Sequence, residues 1–262
     1  MRDYLSFSQV SMFLRCGKSY EFRYLENKKI PPGIAMIKGS SVHGGIEFNS
    51  IQKIQSRIDL PKSDIVDAAV TAFNTQITEE IQLSDDERGI GKKEIIGRAK
   101  DSVVTISELY VDSVAPTIQP IEVEKTIMID IPDSQPIMAV LDCIDEKHVV
   151  HDYKVTGKSK NQNEADTSLQ LSVYAMAHKE LYGTLPKKLV LDTMVELKTP
   201  KYQAIETTRD EDCYVKIYRI SQAVQKAIAA GIFLPPAEGS WNCSSRFCGY
   251  YDICEFVQTS IF

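Results

Sequence analysis

Hydrophobic and polar positions alternate over residues 138–155, and this pattern predicts a β-hairpin near the middle of the chain. In its second strand Asp152 and Lys154 would lie on one face, because successive side chains of a strand point to opposite faces. The short polar link at residues 145–147 would bring Asp142 of the first strand beside Asp152. The hairpin thus places two carboxylates and one ammonium together where a core strand is normally apolar.

Periodic apolar positions on either side of the hairpin predict the remaining elements. Helices are predicted over residues 5–25, 38–48, 64–82, 94–114, 166–183 and 210–230, and strands over residues 121–131 and 188–198. Ser6 or Ser8 would cap the first helix. Ser40 or Ser41 would cap the second. In chain order the middle of the chain therefore reads helix, three strands, helix and strand, which is an α/β arrangement.

The composition narrows the class of protein. A chain of 262 residues can bury a substantial core, and no apolar run is long enough to span a bilayer. The first residues lack the apolar stretch of a signal peptide, so a cytoplasmic protein is expected. A net charge of −6 argues against a uniformly basic protein that coats nucleic acid. Four lysines nevertheless cluster around the hairpin and slightly favour an anionic ligand, at Lys147, Lys154, Lys158 and Lys160.

The charged hairpin suggests a metal site. Two nearby carboxylates repel each other unless a positive charge lies between them, and a divalent cation with oxygen ligands is the usual solution. A lysine beside such a metal can orient a water or stabilise the charge that builds on a phosphorane. Asp152 and Lys154 are therefore suited to phosphodiester hydrolysis. The alternative is a solvent-exposed hairpin whose Asp152–Lys154 ion pair contributes little energy.

Two predicted helices carry polar side chains at spacings that place them on one face. His43 and Glu47 are four residues apart, and His43 is either a structural histidine or a ligand. Gln170, Tyr174 and His178 have the same spacing in a later helix. This row could address a nucleotide or a bound water, and a solvated polar face is the alternative.

Six cysteines in a cytoplasmic protein suggest metal ligation rather than disulfides. Three of them share one compact segment near the C-terminus, at Cys243, Cys248 and Cys254. A tetrahedral zinc site or an iron–sulfur cluster needs a fourth ligand, and Cys16 is the natural candidate because Gly17 should bend the first helix beside it. Such a site would join the two ends of the chain. The alternative is three buried, reduced thiols, as is expected of Cys143 and Cys213.

With these residues in place, the chain resembles the iron–sulfur, RecB-like branch of the PD-(D/E)XK nuclease superfamily. That branch includes the AddB nuclease domain, CRISPR-associated adaptation nucleases and related single-strand exonucleases. The resemblance rests on motifs in family order, which are Leu5-Ser-Phe-Ser with Cys16, Gly39-Ser-Ser-Val-His43, Leu141-Asp142, Asp152-Tyr-Lys154, Gln170-Leu-Ser-Val-Tyr174 and the terminal cysteines. It implies one nuclease domain over residues 1–262 with a restriction-endonuclease-like core, a mixed central sheet flanked by helices. Its parts would be a helical insertion or cap at residues 50–116, a catalytic core at residues 121–200 and an iron–sulfur module made of residues 240–256 plus Cys16.

The resemblance also implies roles for individual residues. The ligands of Mg²⁺ or Mn²⁺ would be His43, Asp142, Asp152 and the carbonyl of Tyr153. Lys154 would be the catalytic lysine, and hydrolysis would leave a 5′-phosphate and a 3′-hydroxyl. Further members of the catalytic site would be Gln170, Tyr174 and Glu47. A [4Fe–4S] cluster would be bound by Cys16, Cys243, Cys248 and Cys254. Zinc is the alternative there, because Gly17 stands where the family commonly has proline and the last three cysteines are spaced unusually widely.

The expected function is a metal-dependent DNA exonuclease that acts on single strands or DNA ends. A DNA-end-binding or end-processing subunit of a CRISPR adaptation or helicase–nuclease assembly, with restricted cleavage, is the alternative. Either function implies DNA as a partner and no membrane, and the second implies protein partners as well.

Overall fold

The computed structural model describes residues 3–77, 80–83, 87 and 89–257. Its α-helices are α1 Phe7–Arg15, α2 Gly17–Tyr20, α3 Ile34–Ser56, α4 Lys62–Gln76, α5 Lys92–Ser113, α6 Gln162–Asp166, α7 Leu169–Tyr182 and α8 Asp212–Ala229. A π-helix, Glu21–Leu25, follows α2, and 3₁₀ turns occur at Ala115–Thr117 and Tyr251–Ile253. Within the described ranges, no helix has the length and hydropathy needed to cross a membrane. Residues 78 and 79 of the predicted helix 64–82, and the first two residues of the chain, lie outside these ranges.

The strands form one mixed sheet. They are β1 Leu5–Ser6, β2 Pro120–Ile129, β3 Ile137–Asp145, β4 Val149–Thr156, β5 Lys188–Val195 and β6 Lys201–Thr207. Strand β3 pairs antiparallel with β2 along one edge, and its other edge is shared by β1, which is parallel, and β4, which is antiparallel. Beyond β4 the sheet continues with a parallel β5 and an antiparallel β6.

The predicted hairpin is present as β3 and β4, and the two strands separate early. Their pairing consists of Cys143 with His151 and of Ile144 with Val150. Strand β1 pairs only with the first two residues of β3. The edge of β3 is therefore open over residues 139–142, and this opening is where the functional side chains meet.

Both faces of the sheet are covered by helices. One face packs on α7 and α8, and the other packs on α3, α4 and α5. Strands β4 and β5 are buried along most of their length, as expected for strands that are covered on both sides. The prediction of a mixed central sheet flanked by helices is confirmed.

The first helix begins later than predicted, because the two residues before it form β1. Ser6, the first of the two candidate caps, is its N-cap, and Gln9 completes a capping box by accepting from the Ser6 N–H. The helix ends just before Cys16, whose backbone is extended with φ −165° and ψ 107°. Helix α2 then starts at Gly17. The predicted bend at the cysteine is therefore present.

The second predicted helix is longer than expected. It begins at Ile34 with Gly33 as its N-cap, so neither Ser40 nor Ser41 caps it. Both hydroxyls instead donate to the carbonyl of Ile37, at 3.1 and 2.6 Å. Serine makes this bond within a helix when no free backbone N–H is available to it.

Strand β6 was not predicted from the sequence. Its residues are mostly polar and exposed, with Ile205 and Thr207 as the buried exceptions, because it is the edge strand and pairs only with β5. The alternation of hydrophobic and polar residues that indicates a strand is therefore weak in this segment. After the hairpin the chain runs through α6, α7, β5 and β6. The predicted order for this region, one helix followed by one strand, was therefore wrong.

Candidate catalytic site

Asp142 lies in the opening at the edge of β3, and both of its carboxylate oxygens are held. One oxygen, Oδ2, accepts from the backbone N–H of Tyr153 at 2.9 Å, where the ladder between β3 and β4 has ended. The other, Oδ1, accepts from the hydroxyl of Tyr174 at 3.2 Å. Each carboxylate oxygen has a second lone pair, so the group is fixed in position and can still bind a ligand.

Asp152 and Lys154 lie on one face of β4, as the alternation predicts. Lys154 Nζ donates to Asp152 Oδ1 at 2.6 Å, and the Asp152 side chain is only 1% exposed. Burial raises the pKa of Asp152 to about 7, with Lys154 acting to lower it and Asp142 to raise it. A solvent-exposed hairpin with a surface ion pair is therefore wrong, because the carboxylate is buried beside a second carboxylate.

Helix α3 supplies His43 and Glu47. His43 Nε2–H donates to the carbonyl of Tyr153 at 2.9 Å, and Nδ1 lies 3.8 Å from Asp142 Oδ2. The pKa of His43 is lowered, because burial and the nearby Lys154 outweigh the opposite effect of Asp142. The histidine is therefore held toward its neutral form, which is the form that binds metals. Glu47 follows one turn later and adds negative charge to the same site.

Close packing holds α3 in this position. A Cβ atom added to Gly45 would lie 2.9 Å from the carbonyl oxygen of Ile65 and 3.0 Å from the Cβ of Ala69, both on α4. Real Cβ atoms do not approach a backbone oxygen so closely, so the two helices can meet at this distance only because residue 45 is glycine. The glycine two residues after His43 therefore helps to place that histidine.

Glu124 of β2 is a site residue that the sequence did not reveal. It lies opposite Asp142, between the Val123–Cys143 and Lys125–Leu141 pairs, and has a left-handed backbone with φ 47°. Burial raises the pKa of Glu124 to about 7, and Asp142 and Glu47 raise it further. One possible ligand atom from each of His43, Glu124 and Asp142 lies within 4.8 Å of the other two. Asp152, whose carboxylate accepts from Lys154, is not part of this group.

The polar row on α7 divides into two parts. Gln170 Nε2 donates to the hydroxyl oxygen of Tyr174, which in turn donates to Asp142, so these two residues reach the site. His178 does not, because its Nδ1–H donates to the Thr184 carbonyl. A solvated polar face is wrong for this row, since Tyr174 is 3% exposed and His178 is fully buried.

The four predicted cluster ligands line one cavity, which joins α2 to the C-terminal segment. They are Cys16, Cys243, Cys248 and Cys254. Burial raises the pKa of Cys248, and the other three sulfurs raise it further. Four thiols around one cavity are a donor set that suits either zinc or an iron–sulfur cluster.

Comparison with known proteins places the fold. The structure is similar to the crystal structure of a candidate exonuclease from Eubacterium rectale, with a TM-score of 0.60 and 11% sequence identity over 99% of this chain and 91% of that one. At this identity the likeness shows a shared fold. The crystal structure of a protein named SSO0001 matches with a TM-score of 0.38 and 16% identity, over 82% of this chain and 97% of the other. No curated protein matches the sequence. The sequence pattern of the PD-(D/E)XK nucleases matches residues 4–255, and the chain therefore belongs to the PD-(D/E)XK nuclease superfamily.

Proposed function

We propose that this protein is a metal-dependent deoxyribonuclease that hydrolyses phosphodiester bonds, as an exonuclease on single strands or DNA ends. The observation that carries the proposal is the meeting of Asp142, the Asp152–Lys154 pair, His43 and Glu124 at the opening in the sheet. Membership of a nuclease superfamily supports the reaction class. In this proposal residues 121–200 form the catalytic core, residues 50–116 are a helical insertion, and the protein acts in the cytoplasm.

The donor set suits Mg²⁺ or Mn²⁺. Carboxylate oxygens with one imidazole nitrogen are ligands that both ions accept, and the candidate ligand atoms of His43, Glu124 and Asp142 are close enough to share one ion. Three carboxylates in a partly buried space repel one another, and a divalent cation would relieve that repulsion. By family resemblance we add Asp152 and the Tyr153 carbonyl to the proposed ligands. A bound cation would supply Lewis-acid stabilisation of a phosphate oxygen and lower the pKa of a water.

The residues of the chain would perform the remaining steps. Lys154 would hold the attacking water by hydrogen bonding and steady the negative charge that develops on the phosphate, and Asp152 keeps the ammonium in place. Tyr174 fixes the orientation of Asp142. Because Gln170 donates to the tyrosine oxygen, the hydroxyl proton of Tyr174 remains available to Asp142. Glu47 would contribute negative charge toward the cation.

A nuclease assay tests the proposal directly. Wild-type protein should degrade end-labelled DNA in Mn²⁺ or Mg²⁺, single strands faster than duplex, and should be inactive in EDTA. Asp142→Asn should be inactive in every condition, because it removes the carboxylate that the site is built around, while melting at a temperature close to that of wild type. The 5′ and 3′ labels report the direction of digestion. A wild-type protein that binds DNA without degrading it in either metal would contradict the proposal and favour the DNA-end-binding subunit.

We also propose that the four-cysteine cavity holds a [4Fe–4S] cluster, which would place the chain in the iron–sulfur branch of the superfamily. The support is the order of the motifs and the meeting of Cys16 with the C-terminal cysteines around one cavity. The cluster would hold α2 against the C-terminal segment. Its role would be structural, because binding energy at such a site is also folding energy.

Removing one cysteine ligand should destabilise the protein before it affects chemistry. Cys248→Ser should lose iron and visible absorbance and melt several degrees lower, while its cleavage rate at low temperature stays within about threefold of wild type. The matched control is Cys213→Ser, which removes a half-buried thiol outside the cavity and should keep its iron. Absorbance, metal content and melting are measured on anaerobically purified protein. Zinc in place of iron, or equal melting of the brown and colourless forms, would disprove the cluster's structural role.

A further inference from the structure

A second cavity, lined by none of the catalytic residues, has the composition of a nucleic-acid site. It encloses about 1070 Å³ between the N-terminal strand, the π-helix, the turn at residues 133–135 and the end of α8. Its aromatic and basic members are Tyr4, Tyr20, Arg23, Tyr24, Lys29 and Lys226. We call it the tyrosine groove. Its volume is at or above the upper end of the range of about 300–1,000 Å³ that is typical of small-molecule sites, so it has room for a polymeric ligand.

The charge of the tyrosine groove is opposite to that of the whole chain. Three cations line it, Arg23, Lys29 and Lys226, against one carboxylate, Asp133. The whole chain has 30 basic and 36 acidic residues. No ion pair among the described residues involves Lys29 or Lys226. An anionic ligand would therefore meet positive charge that the protein itself does not neutralise.

Aromatic rings lie beside these cations. The ring of Tyr24 is half-buried and lies 5.1 Å from the ring of Tyr20, which is buried and fixes it from behind. The guanidinium of Arg23 lies 5.8 Å from the Tyr24 ring centroid. Bases of single strands stack on such faces, and the cations pair with the phosphates between them. An acidic peptide would use the cations but would gain little from the rings.

The wall of the tyrosine groove has an unusual backbone that is fixed from outside. Residues 21–25 form a π-helix, a form that is rare and often found at functional sites. Asn27 and Asp133, which both line the groove, have left-handed backbones with φ of 55° and 56°. The wall is held by the C-terminal segment, since the Tyr250 hydroxyl donates to the Lys28 carbonyl at 2.8 Å. A wall held in costly conformations by its surroundings is typical of a binding site.

We propose that the tyrosine groove binds single-stranded DNA and positions the strand that the catalytic site cleaves; this inference rests on the proposed function. Leu5 lines the groove and pairs with Ile137 at the start of β3, five residues before Asp142. Five residues of strand span about 17 Å. That distance corresponds to about five nucleotides at the 3.4 Å spacing of a B-form strand, and to fewer in an extended strand. Oligonucleotides shorter than this should lose the benefit of the groove.

Binding of a fluorescent 12-nucleotide single strand in EDTA tests the groove without cleavage. Tyr24→Ala should weaken binding about 5- to 160-fold, the range seen when one base loses its stacking partner. Tyr24→Phe keeps the ring and should bind like wild type. Lys29→Ala with Lys226→Ala should reduce the salt slope of log K by about 1.4, or about 0.7 for each phosphate that is no longer neutralised. The matched control removes two exposed lysines of α5, Lys93→Ala with Lys100→Ala, and should change neither affinity nor slope.

The outcomes separate the groove from the proposed function. Groove variants that fold, cleave and bind the single strand like wild type would contradict the proposed role of the groove and leave the proposed nuclease function intact. Loss of affinity for an acidic peptide, with the oligonucleotide bound as before, would overturn it in favour of a peptide site. Binding that depends on the groove, without cleavage by wild type in Mn²⁺, would contradict the proposed nuclease function and support DNA binding by the groove. If the wild-type protein bound no oligonucleotide at all, the proposal that the groove binds single-stranded DNA would be wrong.

Discussion

Replacing Lys154 with methionine should lower the rate of DNA cleavage about 10²- to 10³-fold, the usual cost of removing one group that stabilises transition-state charge. Methionine keeps an unbranched chain of similar length and removes only the ammonium. The lysine side chain is 33% exposed beside Asp152, so its ammonium pairs with the buried carboxylate and remains accessible from solvent. Single-turnover cleavage with saturating enzyme measures the chemical step without product release.

The fold should tolerate this change, because Asp152 can adjust its charge. Burial has already raised the pKa of Asp152 to about 7, and Lys154 acts to lower it. Without the lysine that pKa rises further, and the carboxyl takes up a proton at neutral pH instead of remaining a buried, unpaired anion. Melting should therefore change much less than activity.

The matched control for the lysine is Lys158→Met. Lys158 is exposed in the loop after β4, four residues beyond Lys154, and its side chain lies outside the site described above. It should keep cleavage within about threefold of wild type. Equal losses in both variants would mean that general positive charge, and not the ammonium of Lys154, supports the reaction.

The central hairpin could be predicted because its information is local. Alternation over one strand and a link of three residues leave little choice of register, since a slip of one residue would turn every side chain to the other face. The observed pairing of Cys143 with His151 places Asp142 opposite Asp152, as predicted, with a link one residue later than expected, at residues 146–148. The spacing of Gln170 and Tyr174 was informative for the same reason, because four residues return a helix to one face.

Glu124 could not be predicted, because its position depends on a longer connection. The link between β2 and β3, residues 130–136, does not fix which residue of β2 faces Asp142, and Glu122 has the same side-chain type at the same parity as Glu124. The left-handed backbone at Glu124 leaves no mark on the hydrophobic pattern either. Contacts set by tertiary packing are therefore the part of the site that the sequence conceals.

The meeting of the cysteines was accessible by a different route. No periodicity relates Cys16 to a segment more than 220 residues later, and the prediction depended on the chemical need of three thiols for a fourth. The structure places all four around one cavity. Chemistry can thus reveal a long-range contact when several rare side chains share one requirement, whereas single carboxylates such as Glu124 are too common to do so.

Replacing His151 with leucine should lower the free energy of unfolding by about 3–5 kcal/mol, the cost of breaking a buried charge pair from one side. His151 lies behind the catalytic strand face and is 7% exposed. Its Nδ1–H donates to Asp192 Oδ2 at 2.7 Å, and Nε2 lies 3.7 Å from Asp145 Oδ2. Leucine would leave Asp192, which is 1% exposed, with only the hydroxyl of Tyr202 as a hydrogen-bond donor.

The stabilisation by His151 should also depend on pH, in a direction that its pKa determines. Burial alone would lower the pKa of His151, but the two carboxylates outweigh it and raise that pKa to about 9. A histidine whose pKa is higher in the folded state than in the unfolded state contributes its full stabilisation below about pH 6.5. That contribution is lost as the pH rises through about 9. Denaturation curves between pH 6 and pH 9.5 should therefore show wild type losing stability relative to His151→Leu.

A double-mutant cycle with Asp192→Asn identifies the cause. If the cost of His151→Leu comes from a stranded carboxylate, removing that charge as well should recover part of the loss, so the two changes together should cost less than their sum. Additive costs, or a stability difference that does not change with pH, would mean that His151 contributes packing alone. In that case β4, which carries Asp152 and Lys154 on one face, would not depend on the charge of His151 on its other face to stay in place.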